Sequence, residues 1–127
     1  MKVTQDASAA MRFKLRWVKS EAAKGLSLKP GIIHTGANSG YQALNLAVQL
    51  GVSQIILLGY DMRMKAGKRH FFGDHPGALN KNSNYRLFIE RFYTTLADLK
   101  SQRVEVLNCT PGSALDCFER RDLADVI

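Results

Sequence analysis

Thirty consecutive residues, Gly31 to Tyr60, carry no formal charge, and they stand between two basic flanks. No apolar run in the chain reaches the ~18–20 residues that a membrane span needs. A long uncharged stretch of this kind is expected to form the buried centre of a fold. Met1–Pro30 holds seven basic and two acidic residues and Asp61–Arg91 seven and three, whereas Phe92–Ile127 holds four and six, for a net charge of +7 over 127 residues. With 46% hydrophobic and 23% charged residues, the composition is that of one ordinary globular domain and not of a disordered segment. No segment recurs at a fixed spacing, which excludes a repeat array. The N-terminus lacks a signal-type apolar stretch, so a cytoplasmic location is the default expectation. Cys109 and Cys117 are too few for a disulfide framework and lie outside any zinc-type spacing; both are expected reduced and structural. The basic flanks suit an anionic partner, or are simply a lysine-rich exterior.

Periodicity divides the chain into alternating elements. Asp6 to Lys24 has helical spacing, with Phe13, Trp17 and several alanines on one face, so residues 1–28 are expected to carry an N-terminal helix ending near Gly25. Ile32–Thr35 is a short β-rich run. Gly36–Gly40 follows, then helical spacing over Tyr41–Leu50, closed by Gly51. Gln54–Leu58 is a continuous apolar run, as in a strand covered on both faces. Strand, Gly-rich loop, helix and buried strand together predict a right-handed parallel β-α-β unit. Residues 62–82 are polar, basic and aperiodic, which suggests a functional loop or lid. Asn84–Lys100 predicts a second amphipathic helix, Val104–Leu107 a third strand, and Ala114–Phe118 a short helical tail. The expected fold class is α/β, three-layered and Rossmann-like, with Gly31–Thr35, Gln54–Leu58 and Val104–Leu107 as neighbouring parallel strands in a mainly parallel sheet.

Ligands of such sheets bind beyond the carboxyl ends of the strands. Gly36–Gly40, Gly59–Met62 and Asn108–Gly112 should emerge there. Gly36 and Gly40 permit close backbone approach, and Ser39 is placed to cap the helix, whose free N–H groups and dipole would attract an anion. The spacing matches neither the Walker loop nor the dinucleotide fingerprint, and a capped turn without a ligand would look the same. Asp61, directly after the buried strand, can bind a ribose hydroxyl, hold a metal or accept a proton; alternatively it caps its own turn. His70-Phe71-Phe72-Gly73-Asp74-His75-Pro76 is the densest cluster of chemical groups. Its histidines and aspartate offer a divalent-metal site or an acid–base histidine, though the five-residue histidine spacing is not a recognised metal pattern. Phe71 and Phe72 alternatively pin the loop on the core. His34 reads as a satisfied strand residue, and Cys109 has no activating partner.

Gly36-Ala37-Asn38-Ser39-Gly40-Tyr41-Gln42-Ala43-Leu44, then Gln54-Ile55-Ile56-Leu57-Leu58-Gly59-Tyr60-Asp61-Met62, then His70–Pro76, resemble a family of phage and prophage proteins. That family in turn is similar to the hydroxymethylpterin diphosphokinase-like domain and, more distantly, to bacterial sialyltransferase-like Rossmann domains. The resemblance covers about Lys29 to Phe118. It implies a nucleotide or nucleotide-sugar site in a protein of a bacterial host, with Gly36, Asn38, Ser39, Gly40 and Tyr41 facing the nucleotide or its phosphate. Asp61 would lie in the pocket and His70 near the donor or metal. Taken with the residues' own chemistry, Asp61, His70 and His75 are the candidate catalytic groups, and Asp61 and Asp74 the candidate ligands of a magnesium ion accompanying the nucleotide. Fuller relatives begin with another strand and a Gly-rich turn, so this chain resembles a carboxyl-terminal half or truncated version.

The function expected is therefore nucleotide or nucleotide-sugar binding related to glycosyl or diphosphate transfer. The alternative is a non-catalytic phage accessory module with a relic cleft. A sheet lacking its first unit would leave an edge to be covered by a homodimer or by the N-terminal helix. Nucleic acid is the least favoured partner, for no helix-turn-helix or aromatic RNA-binding signature accompanies the charge.

Overall fold

The computed structural model describes residues 2–64 and 83–127. It is a mixed α/β structure in which every strand pairing is parallel. The chain opens with β1 (Val3–Thr4) and α1 (Ala7–Phe13), then β2 (Arg16–Trp17), β3 (Lys19–Glu21) and β4 (Ile32–His34). Helix α2 (Ser39–Gln49) leads to β5 (Gln54–Leu57); α3 (Tyr85–Tyr93), α4 (Leu96–Gln102), β6 (Glu105–Asn108) and β7 (Glu119–Arg120) come later in the chain. The ladders are small: β1–β2, β3–β4, and a three-stranded β5–β6–β7. Val18 alone separates β2 from β3. Its N–H donates to the Thr4 carbonyl (2.9 Å), whereas that of Lys19 donates to the Gly31 carbonyl (2.9 Å). Successive residues of one extended run thus bond to opposite neighbours and join the first two ladders.

The expected N-terminal helix is therefore much shorter. Asp6 does cap it, accepting from the Ala9 N–H at 2.9 Å. It stops at Lys14, which turns left-handed (φ 52°), and both Lys14 and Leu15 N–H groups return to the Ala10 carbonyl. Phe13 and Trp17 share no buried face; they are 60% and 50% exposed. The β-favouring Trp17-Val18 pair instead finds strands on either side, and tertiary pairing overrides helical spacing. It follows that β4 pairs with β3 and not with β5, correcting the expected neighbourhood of the first two predicted strands. β5 and β6 are parallel neighbours as expected, in register from Gln54–Glu105 to Leu57–Asn108.

Two further expectations change. The Asn84–Lys100 helix is broken between α3 and α4 at Thr94–Thr95, whose hydroxyls bond back to Arg91 and Phe92 carbonyls at 2.7 Å. The break receives another segment: the Gly25 N–H donates to Thr94 Oγ1 (3.0 Å) and that of Leu26 to Asp98 Oδ2 (2.7 Å). Ala114–Phe118 forms no helix, because Asn108 gathers it in: its Nδ2 donates to Ser113 Oγ and the Leu115 carbonyl, and its Oδ1 accepts from the Thr110 N–H. The chain then continues into β7.

One core joins these pieces. Tyr41, Leu44 and Val48 from α2 meet Leu57, Phe92, Leu99, Val106, Leu115 and Phe118. Phe92 is its centre, with Tyr41, Tyr60 and Phe118 rings packed at 5.5–6.0 Å in tilted or edge-on geometry. The uncharged stretch supplies much of this core, although Leu50 and Leu58 are exposed. Among the described residues, no helix is long and apolar enough to cross a membrane.

Both cysteines are free, Cys109 buried and Cys117 half-buried. Burial pushes the Cys117 thiol up from an ordinary 9.0 to about 12. In the unfolded chain this thiol ionises first, so the folded state holds the extra proton at alkaline pH. Its stabilising contribution is complete below the unfolded value and is lost as pH rises from about 9 towards 12. Urea unfolding at pH values across that window should show stability falling, with a shallower fall in Cys117→Ala. Identical slopes in the two proteins would refute the assignment.

Candidate functional site

Loops leaving β5 and β6 converge with the start of α2 around Tyr60. The Tyr60 N–H donates to Thr110 Oγ1 (3.0 Å), its carbonyl accepts from Ser113 Oγ (2.5 Å), and its phenol donates to the Gly40 carbonyl (3.1 Å). Burial pushes the phenol above the ordinary tyrosine range, which keeps it a neutral donor. The adjacent Asp61 carbonyl accepts from the Ala114 N–H at 2.8 Å. The side chains of Tyr60, Thr110 and Ser113 thus tie Gly40, the Tyr60–Asp61 segment and the loop after β6 to one another.

What the individual residues do is more specific. Asn38 caps α2, its Oδ1 accepting from the Tyr41 N–H at 2.8 Å; Ser39, proposed from sequence as the cap, is the first helical residue and is exposed. Asn38 Nδ2 donates to the Gly36 carbonyl (3.0 Å) and its N–H to that of Thr35 (3.2 Å). The turn between them has positive φ at both Gly36 (51°) and Ala37 (63°), the pattern of a type I′ turn. Gly40 is required for the Tyr60 ring, which a Cβ there would meet at 2.8 Å. Tyr41 is fully buried and its phenol donates to the Gly25 carbonyl, which also accepts from His34 Nδ1 at 2.9 Å. Its side chain therefore serves the core, and His34 is satisfied as its strand position suggested. Asp61 is half-buried between Tyr60 and Met62, whose φ is 50°. His70, Asp74 and His75 lie outside the described residues, as do Lys65, Lys68 and Arg69.

The strand ends also form a cleft that periodicity did not reveal. Ala22, Ala23 and Lys24 follow β3, Thr35, Gly36 and Ala37 follow β4, and together with Arg91 of α3 they enclose about 200 Å³. This is the crevice position where parallel sheets bind ligands. Lys24 and Arg91 reach it from two elements, and among the described residues neither pairs with a carboxylate. The volume is below the ~300–1,000 Å³ typical of whole-ligand pockets and suits a phosphoryl-sized group. Lys24 was hidden inside an apparent helix. Arg91 was hidden on the polar side of a real one.

Metal chemistry has a thin donor set here. Among the described residues, no three His, Cys, Asp or Glu side chains gather as a metal site, and Asp61 is the sole placed member of the expected magnesium pair. No step is routed through a metal. Comparison of the chain with family models, with curated proteins and with solved structures finds no match.

Proposed function

We propose that the chain is a nucleotide- or nucleotide-sugar-binding domain of the Rossmann-like kind, with the ligand's phosphate in the β3–β4 crevice. The observation that carries this reading is the pairing of Lys24 and Arg91 across a cleft whose wall is the Thr35–Ala37 turn. Two cations from different segments, unpaired with carboxylates among the described residues, give an electrostatic site for a dianion, and the guanidinium adds a fork that matches phosphate oxygens. The parallel pairing of the described strands, in three small ladders, is what supports a Rossmann-like reading. Glycosyl or diphosphate transfer of the phage type is the activity class that goes with the reading, and Asp61 is its acid–base or ribose-binding candidate.

The experiment is thermal unfolding and calorimetry with nucleoside diphosphates and nucleotide sugars, with and without magnesium. Ligand at about 100 Kd adds ~2.7 kcal/mol, which for a domain of this size is a Tm rise of roughly 10 °C. Lys24→Ala and Arg91→Ala should each weaken binding about tenfold, the loss expected for one charge-assisted contact. Asp61→Ala should reduce the response with the fold intact, since the contact of residue 61 to Ala114 is through the main chain. No stabilisation by any ligand at millimolar concentration would end the proposal.

A second reading has its own observation. Met11, Phe13 and Trp17 are 83%, 60% and 50% exposed within one short segment, as an interaction module would present them. A stable oligomer by light scattering, combined with no nucleotide response, favours that reading.

A further inference from the structure

A cavity larger than the Lys24–Arg91 cleft lies elsewhere, beyond the carboxyl ends of β5, β6 and β7. It encloses about 590 Å³, within the range of small-molecule sites. None of its lining residues belongs to the Lys24–Arg91 cleft.

Its walls are chemically divided. Leu58, 55% exposed at the end of β5, faces it with Pro111 and Leu123, an apolar surface turned toward solvent instead of the core. Asn108 lies at its base but is fully engaged by Thr110, Ser113 and Leu115, so it offers a closed floor rather than a recognition group. Asp122 is engaged too, its Oδ1 accepting from the Ala124 N–H at 3.1 Å.

The lining also carries two arginines against the single carboxylate of Asp122, which keeps its charge while accepting one N–H bond. Arg120 is oriented by one bond, from Nη2 to the Ser113 carbonyl at 2.7 Å, which leaves most of its five donors uncommitted. Among the described residues it pairs with no carboxylate. Arg121 lines the same crevice and is ion-paired with Glu119 at 2.6 Å. These arginines do not belong to a generally basic surface: Phe92–Ile127 has a net charge of −2 and only four basic residues. Two of those four line this one crevice.

We propose that this crevice binds a small organic oxyanion, a phosphate monoester or a carboxylate on an apolar body. The oxyanion meets the Arg120 fork, supported by Arg121, and the apolar body lies against Leu58, Pro111 and Leu123. The site is independent of the nucleotide reading, because it shares no residue with that cleft.

The test is an amide and arginine-side-chain NMR titration of the whole chain with phenyl phosphate, benzoate and inorganic phosphate. Phenyl phosphate or benzoate should saturate, moving the signals of Gly59, Gly112 and Leu123, and whichever binds more tightly identifies the oxyanion. Inorganic phosphate should bind about tenfold or more weakly, since burying even part of a phenyl ring contributes that much. Arg120→Gln should weaken phenyl phosphate binding about tenfold or more. Arg121→Gln, which frees only a surface contact to Glu119, should weaken it less, and it decides the matter if Arg120→Gln fails to fold. Lys24→Ala should leave this titration unchanged, so failure of the nucleotide reading and failure of this one are separable. Absence of saturation, equal binding of inorganic phosphate, or indifference to the arginine variants overturns the proposal.

Discussion

Replacing Asn45 by alanine should cost about 4–6 kcal/mol, enough to remove most of the stability of a domain with an ordinary margin of ~5–15 kcal/mol. Asn45 is fully buried in α2 and works as a clamp between two segments far away in sequence. Its Oδ1 accepts from the Ser27 N–H (3.0 Å) and from the His34 N–H (2.9 Å), and its Nδ2 donates to the Ser27 carbonyl (2.8 Å). One turn later Gln49 extends the seam, donating to the carbonyls of Ser27 (2.8 Å) and Ile32 (2.5 Å). Truncation orphans two buried N–H groups at ~1–3 kcal/mol each and leaves a cavity. Asn45→Leu separates these causes, because it restores volume but not acceptors. If the orphaned N–H groups dominate, Leu is about as damaging as Ala in urea unfolding. If Asn45→Leu is close to wild type, the clamp is ordinary packing and this account is wrong. Since the clamp aligns β4 with the segment after β3, both variants should also loosen the Lys24–Arg91 cleft.

The contrast between Asn45 and its neighbours explains what could be read before the fold was seen. Leu44, Ala47 and Val48 announced α2 through their spacing and Gly51 its end, because these signals are local to one helix, whereas the cap expected at Ser39 lies one residue earlier, at Asn38. β5 and β6 were legible for the same reason, as apolar runs bounded by turns. Asn45 sits on the same buried face, but no periodicity distinguishes a buried clamp from a solvated amide. Arg16–Glu21 was misread because its strand character is conferred by Lys2–Thr4 and Gly31–His34, partners whose proximity is tertiary. The candidate site divides along the same line. The Gly36–Gly40 turn and the meeting of the Gly59 and Asn108 loops follow from α/β topology. Lys24, Arg91, Arg120 and Arg121 are ordinary surface cations in one dimension, and only the packing of separate elements brings them to crevices.

Gly36→Ala should cost about 4 kcal/mol, the most damaging single-methyl change among the described glycines, through two effects that Gly51 allows to be separated. Gly36 has φ +51°, so any L side chain pays about 1–2 kcal/mol for the left-handed backbone. The added Cβ would also fall 2.0–2.5 Å from three atoms of the Tyr41 ring. That ring cannot yield easily: it is fully buried, packed on Phe92, and its hydroxyl is tied to the Gly25 carbonyl. Overpacking at a site of this kind adds about 1–3 kcal/mol or more. Gly51→Ala is the control, because its φ of +79° carries the backbone cost while nothing lies within 4 Å of the new Cβ. It should lose only about 1–2 kcal/mol. Denaturant unfolding of both variants reads the difference as the collision itself, and equal losses would show that Tyr41 moves aside. The same collision bears on function, since Gly36 and Ala37 form one wall of the β3–β4 cleft. A methyl group that drives Gly36 away from Tyr41 displaces that wall of the cleft. Gly36→Ala protein that remains folded at low temperature should therefore lose nucleotide-dependent stabilisation, while Gly51→Ala retains it.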